Sequence, residues 1–138
     1  MTYFIDTNIF LRVLIQEDRK MFDQSKAFLE MVKRNKFDAV TSTIVISETV
    51  WTLGSYYKFS KKEVLRAVRG ILNLSGLKVV DDYDLKKSLA IYEFNKCKYI
   101  DAVITGMPSI QSGGWKIVSY DKEFDKLGVK RISPPLLT

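Results

Sequence analysis

Two rhythms of hydrophobic and polar residues alternate along this chain: short apolar runs and longer stretches with helical periodicity. Tyr3-Phe4-Ile5 places three apolar residues in a row, the pattern of a strand covered on both faces of a sheet. Asp6-Thr7-Asn8 supplies capping side chains ahead of Ile9-Phe10-Leu11, so the strand is expected to turn directly into a helix. The spacing of Ser25, Phe28, Leu29 and Val32 predicts a second helix over Phe22 to Arg34. Asp38-Ala39-Val40-Thr41 reads as the next strand. Ser42 or Thr43 then caps a long helix with Ile46, Val50, Leu53 and Tyr57 in one stripe.

The second half repeats the alternation. Ser60-Lys61-Lys62-Glu63 fits a capping box, with Val64, Val68, Ile71 and Leu72 following at helical spacing, and Gly76 is expected to end that helix. Lys78-Val79-Val80 is a third strand. Asp84 caps a helix whose stripe is Leu85, Leu89 and Tyr92, and a further helix starts near Tyr99 and stops before Met107-Pro108. Gly113-Gly114 marks a loop before the strand Lys116-Ile117-Val118-Ser119. Phe124 and Leu127 suggest a last helical turn, and Val129 to Ile132 an edge strand before Pro134-Pro135. Strands alternating with helices predict an α/β fold on a mostly parallel sheet.

Composition adds bounds to this picture. No repeat, low-complexity tract or linker divides the 138 residues, so a single domain over 1–138 is expected. A composition of 46% hydrophobic and 28% charged residues is that of a globular chain and argues against disorder. The longest apolar run, Leu89 to Tyr92, is too short to span a membrane, and no leader pattern stands at Met1. Cys97 is the one cysteine and is expected to be a plain buried or half-buried thiol, which makes a reducing cytoplasm the expected location.

Histidine is absent, which removes serine–histidine and cysteine–histidine hydrolysis and histidine-held zinc. Catalysis near neutral pH must then come from carboxylates, a metal they hold, lysine or tyrosine. A net charge of +6 favours a polyanionic partner such as nucleic acid.

In a parallel sheet the carboxyl ends of the strands share one edge, where ligands gather. Four acids fall near such ends in apolar surroundings: Asp6 after the first strand, Asp121 after the strand ending in Ser119, Glu48 inside the third helix and Asp101 in a helix's first turn. Each has a plain structural use. Asp6 fits a helix cap, Asp101 a carboxylate favoured by the helix dipole, and Asp121 a turn residue; Glu48 fits such a use least. Together they suit another purpose, because converging carboxylates repel unless a hard cation such as Mg²⁺ or Mn²⁺ joins them. Such ions activate water and stabilise the leaving oxygen of a phosphodiester, with no histidine needed.

The order Ile5-Asp6-Thr7-Asn8, Ser47-Glu48-Thr49, Tyr99-Ile100-Asp101-Ala102-Val103-Ile104 and Ser119-Tyr120-Asp121-Lys122-Glu123-Phe124 resembles the PIN domain, and more narrowly the VapC-type toxin ribonucleases. The resemblance runs from Tyr3 to about Leu127. It implies a three-layer α/β/α sandwich around a mostly parallel sheet of about five strands, and a Mg²⁺- or Mn²⁺-dependent endoribonuclease acting on RNA. It further implies a small antitoxin protein as partner, a homodimer, and an antitoxin tail reaching over the acidic pocket. By the same likeness Asp6, Glu48, Asp101 and Asp121 form the catalytic quartet, with Asp6 and Asp101 the direct metal ligands and Glu48 and Asp121 completing the site. Asn8 and Ser119 match supporting polar positions, with a cap and a strand-end hydroxyl as the alternative reading. Two features depart from the family's pattern. Gly106-Met107-Pro108 interrupts a helix that is often longer, and Ser119 stands where threonine is commoner.

Other groups carry less. Asp125 reads as a solvated helix residue. Arg12, Lys58, Lys61, Lys62, Arg66 and Arg69 read as a solvated face with a phosphate-binding rim as the alternative, and Trp51, Tyr56 and Tyr57 as core or dimer contacts rather than base-stacking groups. Three functional alternatives stay open: an RNA-processing nuclease outside a toxin–antitoxin pair, a catalytically idle RNA-binding module, and a phosphotransfer domain on a similar sheet.

Overall fold

A computed structural model of the chain describes residues 1–134. Its centre is a five-stranded sheet in the order β3-β2-β1-β4-β5, with every neighbouring pair parallel. The strands are β1 (Thr2–Ile5), β2 (Asp38–Thr41), β3 (Leu77–Val79), β4 (Trp115–Val118) and β5 (Arg131–Ile132). Phe4, Ile5, Val40, Ile117 and Val118 are buried, as continuous apolar strands in a covered parallel sheet must be. Register pairs Ile5 with Val118, so β1 and β4 end side by side. The amide of Asp6 extends that ladder to the Val118 carbonyl at 3.1 Å.

The chain moves outward from β1 to β2 and β3, then returns across β1 to β4 and β5. Right-handed crossovers in opposite directions put their helices on opposite faces. One face carries α1 (Thr7–Leu14), α2 (Arg19–Lys33), α3 (Thr43–Trp51) and α4 (Lys61–Leu72). The other carries α5 (Leu85–Phe94), α6 (Tyr99–Thr105) and α7 (Pro108–Gln111), with a 3₁₀ segment, Lys122–Leu127, packed against α6. The direction of winding reverses between β1 and β4. In open α/β sheets such a switch point opens a crevice at the strands' carboxyl ends.

Several expected elements hold with shifted limits. α2 begins at Arg19 rather than Phe22, because Asp18 caps it by accepting from the Met21 amide at 2.9 Å. The helix after β2 is α-helical only to Trp51; Thr52–Tyr56 widens into a π turn that keeps Leu53 buried and leaves Val50 and Tyr56 exposed. Leu72 lies outside the core, and α4 stops there, before Gly76. Gly76 instead turns the chain into β3 at φ +86°, where a Cβ would stand 2.2 Å from the Val32 carbonyl. β4 closes at Val118, leaving Ser119 free of the strand, and the edge strand is only Arg131–Ile132. Pro135 lies outside the described residues. The capping box at Ser60 and Glu63 and the Asp84 cap of α5 are both formed.

The α5 stripe corrects the sequence reading most. Leu85, Leu89 and Tyr92 are about half exposed, while Ser88 is the buried residue of that helix. Gly106 explains why: a Cβ there would approach the Ser88 hydroxyl to 2.6 Å, so α5 and α6 meet through small residues. No helix among the described residues is long and apolar enough to cross a membrane.

Candidate active site

β1 delivers Asp6 to the switch point. It occupies the N-cap position of α1, yet its side chain accepts no capping hydrogen bond from the helix. Asp6 is only 5% exposed. Its carboxylate accepts from the Ser119 hydroxyl at 2.7 Å and from the Asn8 amide at 3.3 Å. Asn8 also donates to the Ser119 hydroxyl at 3.0 Å and accepts from the Tyr120 amide at 3.2 Å. The strand exits of β1 and β4 are thereby tied together. Neither Asn8 nor Ser119 acts as a helix cap; both donate to the Asp6 carboxylate.

Asp121 follows one step on. Its amide donates to the Ser119 hydroxyl at 3.0 Å, and its carboxylate accepts from the Glu123 amide at 3.0 Å, the turn bond expected of it. Asp101 sits in the first turn of α6 and is 4% exposed. Glu48 projects from α3 in a partly buried position.

These carboxylates feel one another. Burial pushes the Asp6 carboxyl up to about 6; the Ser119 hydroxyl and the Thr7 amide hold it down, and the charges of Glu48 and Asp121 push it further up. Burial likewise raises Asp101 to about 7, with Lys98 opposing and Asp6, Asp121 and Glu48 adding to the rise. The charges of four distant stretches therefore act on one another, and Asp101 and Asp121 line one cleft. Among the described residues no three acidic or sulfur side chains stand close enough to enclose an ion unaided. Mg²⁺ ordinarily keeps several waters and takes one or two carboxylates together with phosphate oxygens. Two buried carboxylates held short of full ionisation, Asp6 and Asp101, fit that kind of binding.

Three features were not foreseen from the residues. Lys98, at the N-cap of α6, is surrounded electrostatically by the quartet: burial lowers its ammonium, but Asp101, Glu48, Asp121 and Asp6 outweigh this and raise it. Its only sequence signal is a lysine three residues ahead of Asp101. Asp81 caps α3 in place of Ser42 or Thr43. It accepts from the Thr43 amide at 2.7 Å, the Ser42 hydroxyl at 3.1 Å and the Tyr83 hydroxyl at 2.7 Å. Desolvation opposes this ionisation, but those bonds prevail and hold the carboxyl near 2. Because α3 carries Glu48, Asp81→Ala is expected to cost about 1 kcal/mol of stability in a denaturant titration, the usual value of a lost cap. Asp125 is exposed, as expected, and also pairs with Arg131 through two bonds of 2.9 and 3.1 Å.

Lys58, Lys61, Lys62, Arg66 and Arg69 are exposed, in keeping with the solvated face expected of them, and the lysines nearest the acids are others. Asp101 and Asp121 open into a cleft of about 880 Å³ whose lysines are Lys96, Lys98 and Lys126. Arg12 lines a separate small pocket with Asn8 and Tyr57, and Arg66 lines an apolar groove across α4.

The model of the PIN domain family matches residues 3–130. This chain belongs to the PIN domain family. A VapC ribonuclease from Aquifex aeolicus is 24% identical over 130 residues, covering 94% of this chain and 95% of that one. The crystal structure of VapBC2 from Rickettsia felis, bound to a DNA fragment from its promoter, superposes with a TM-score of 0.67 at 20% identity, over 98% of this chain and 100% of that one. VapC20 from Mycobacterium tuberculosis, a sarcin-ricin loop cleaving toxin, gives a TM-score of 0.66 at 16% identity over the same shares. In this PIN domain, as the sequence led us to expect, the central sheet is five-stranded and parallel, and Asp6 and Asp121 follow its adjacent strands β1 and β4.

Proposed function

We propose that this chain, acting as one PIN domain over 1–138, is a divalent-metal-dependent endoribonuclease and the toxin of a type II toxin–antitoxin pair. One observation carries the reading: Asp6 and Asp101, both buried, repel each other and two further carboxylates at the switch point of the sheet. Such an arrangement is costly for a fold with no use for it. Bound Mg²⁺ or Mn²⁺ would neutralise the hollow, activate water and stabilise the leaving oxygen of a phosphodiester. Asp6 and Asp101 are the residues that would hold it, with Glu48 and Asp121 completing the site. Ser119 and Asn8 keep the Asp6 carboxylate aimed by donating to the same oxygen. Lys98 offsets part of the negative charge of the four acids.

Two surfaces support protein partners. An apolar groove of about 530 Å³ runs between α1, α2 and α4, lined by Phe10, Leu14, Leu29, Phe59, Ile71 and Leu74 with Lys26, Glu63 and Arg66 at its margin. It suits an amphipathic helix, the kind of segment a small antitoxin would supply. Leu85, Leu89, Tyr92 and Tyr99 expose a second apolar face on α5 and α6, which suits a homodimer contact. The similarity to a curated VapC ribonuclease and to the VapBC2 structure supports the toxin assignment.

The test is direct. Purified protein with Mn²⁺ is expected to cut a labelled single-stranded RNA internally, and excess chelator is expected to stop the cutting. Cleavage that survives the chelator, or RNA retained intact with Mn²⁺ present, contradicts the reading.

A further inference from the structure

The cleft beside Asp101 and Asp121 has a wall of which the proposed chemistry uses only Lys98. That wall is the connection from α5 to α6, Phe94 through Lys98, and the opposite side is Glu123, Lys126 and Leu127. Phe94 ends α5 and is 79% exposed, the most exposed of the large apolar side chains in the described residues. A phenylalanine that lines a cleft and stands mostly in water has no core to serve. Lys126 is already engaged, 3.2 Å from the Glu123 carboxylate. Lys96 and Lys98 make no ion pair among the described residues, although Lys98 lies within the field of all four acids. A protruding ring, two ammonium groups outside any ion pair of the described residues, and the carboxylates of Asp101 and Asp121 share one cavity. This combination fits an unpaired nucleic-acid strand, whose bases stack on aromatic rings while lysines meet its phosphates.

We propose that the Phe94–Lys98 connection is the track for the RNA strand beside the scissile phosphate, with Phe94 stacking on a base and Lys98 contacting a phosphate. This rests on the ribonuclease reading and narrows it to one side of the hollow. It also gives Lys98 two opposed effects. Its charge attracts the phosphate backbone but repels a cation bound by Asp101 and Asp6.

The experiment measures binding of a fluorescent single-stranded oligoribonucleotide by anisotropy, with chelator present so that no cutting occurs. Phe94→Ala is expected to weaken binding about tenfold, and Phe94→Tyr to restore most of it. Lys98→Met is expected to weaken binding several-fold and to lower the salt dependence by roughly one phosphate contact, with Lys98→Arg restoring both. The same Lys98→Met protein is expected to bind Mn²⁺ more tightly than wild type, an effect that general loosening of the fold does not produce. Phe94 is exposed, so Phe94→Ala is expected to melt with wild type; Lys98→Met removes a charge that offsets the acids and is expected to melt somewhat lower while remaining folded. If wild type cuts RNA but both variants hold it as tightly as wild type, the track lies elsewhere and the ribonuclease reading survives. If Phe94→Ala leaves RNA binding intact and instead lowers the mass seen by light scattering, Phe94 belongs to a protein contact and the proposal fails. Wild-type protein that neither holds nor cuts RNA overturns both readings together.

Discussion

Asp101→Asn is expected to melt at a higher temperature than the wild-type chain near pH 8 without metal, and to cut RNA about a thousandfold more slowly. The two effects share a cause. Asp101 is 4% exposed, and burial holds its carboxyl at about 7, above its ordinary 3.8. The folded chain therefore keeps a proton on Asp101 that the unfolded chain releases at lower pH. Above pH 7 the carboxylate must ionise inside the fold, and stability contributed by the protonated form is lost as pH rises from about 4 through 7. A neutral amide of similar shape escapes that penalty. We expect a gain of about 2 kcal/mol, roughly 5 °C in melting temperature. The gain is expected to disappear near pH 4, where wild-type Asp101 carries its proton in both states. A variant that melts lower than wild type near pH 8 would show that Asp101 serves the fold rather than the chemistry. Calorimetric melting at the two pH values, beside a cleavage time course, checks both halves.

The residues themselves disclosed the sheet edge more readily than the surfaces around it. Tyr3-Phe4-Ile5 and Ile117-Val118 are continuous apolar runs, so their burial and the placement of Asp6 and Asp121 beyond them follow from local pattern alone. The absence of histidine narrows the chemistry to carboxylates, a metal they hold, lysine or tyrosine. Helical spacing, by contrast, does not say which face is covered. On α5 the stripe of Leu85, Leu89 and Tyr92 points outward, and Ser88 packs against Gly106 instead. Asp81 was hidden because its partner Thr43 lies 38 residues away, and such a cap has no signature in neighbouring residues. Lys98 was missed for a similar reason: a lysine near an acid reads as solvated until the other three acids are seen around it. The pairing of Asp125 with Arg131 likewise depends on the turn between the 3₁₀ segment and β5.

The second large effect is on metal affinity. Asp6 is held at about 6 and Asp101 at about 7, so both carry protons in mildly acidic solution. A hard cation takes the ionised forms, so its binding must expel those protons. Affinity is expected to change little between pH 9 and 8, where both groups are ionised. It is expected to fall about a hundredfold as pH drops from about 8 to 5.5 through both values. Proton release measured by titration in buffers of different ionisation enthalpy is expected to be near zero at the alkaline end and to exceed one proton per ion below about pH 6. Affinity that is flat across this range would mean that Asp6 and Asp101 do not ligate the ion. Ser119→Ala tests the orientation of Asp6 by the same titration and removes the 2.7 Å bond that holds its carboxylate down.

Carboxylates brought from β1 and α6 to one cation are the basis of the whole account, and Mn²⁺ calorimetry near pH 8 addresses them most directly. Metal-stripped wild-type protein is expected to bind Mn²⁺ with a resolved heat. Asp6→Asn is expected to bind at least about tenfold more weakly while keeping its fold. Equal affinity in the two proteins, or no binding in either, would contradict the account.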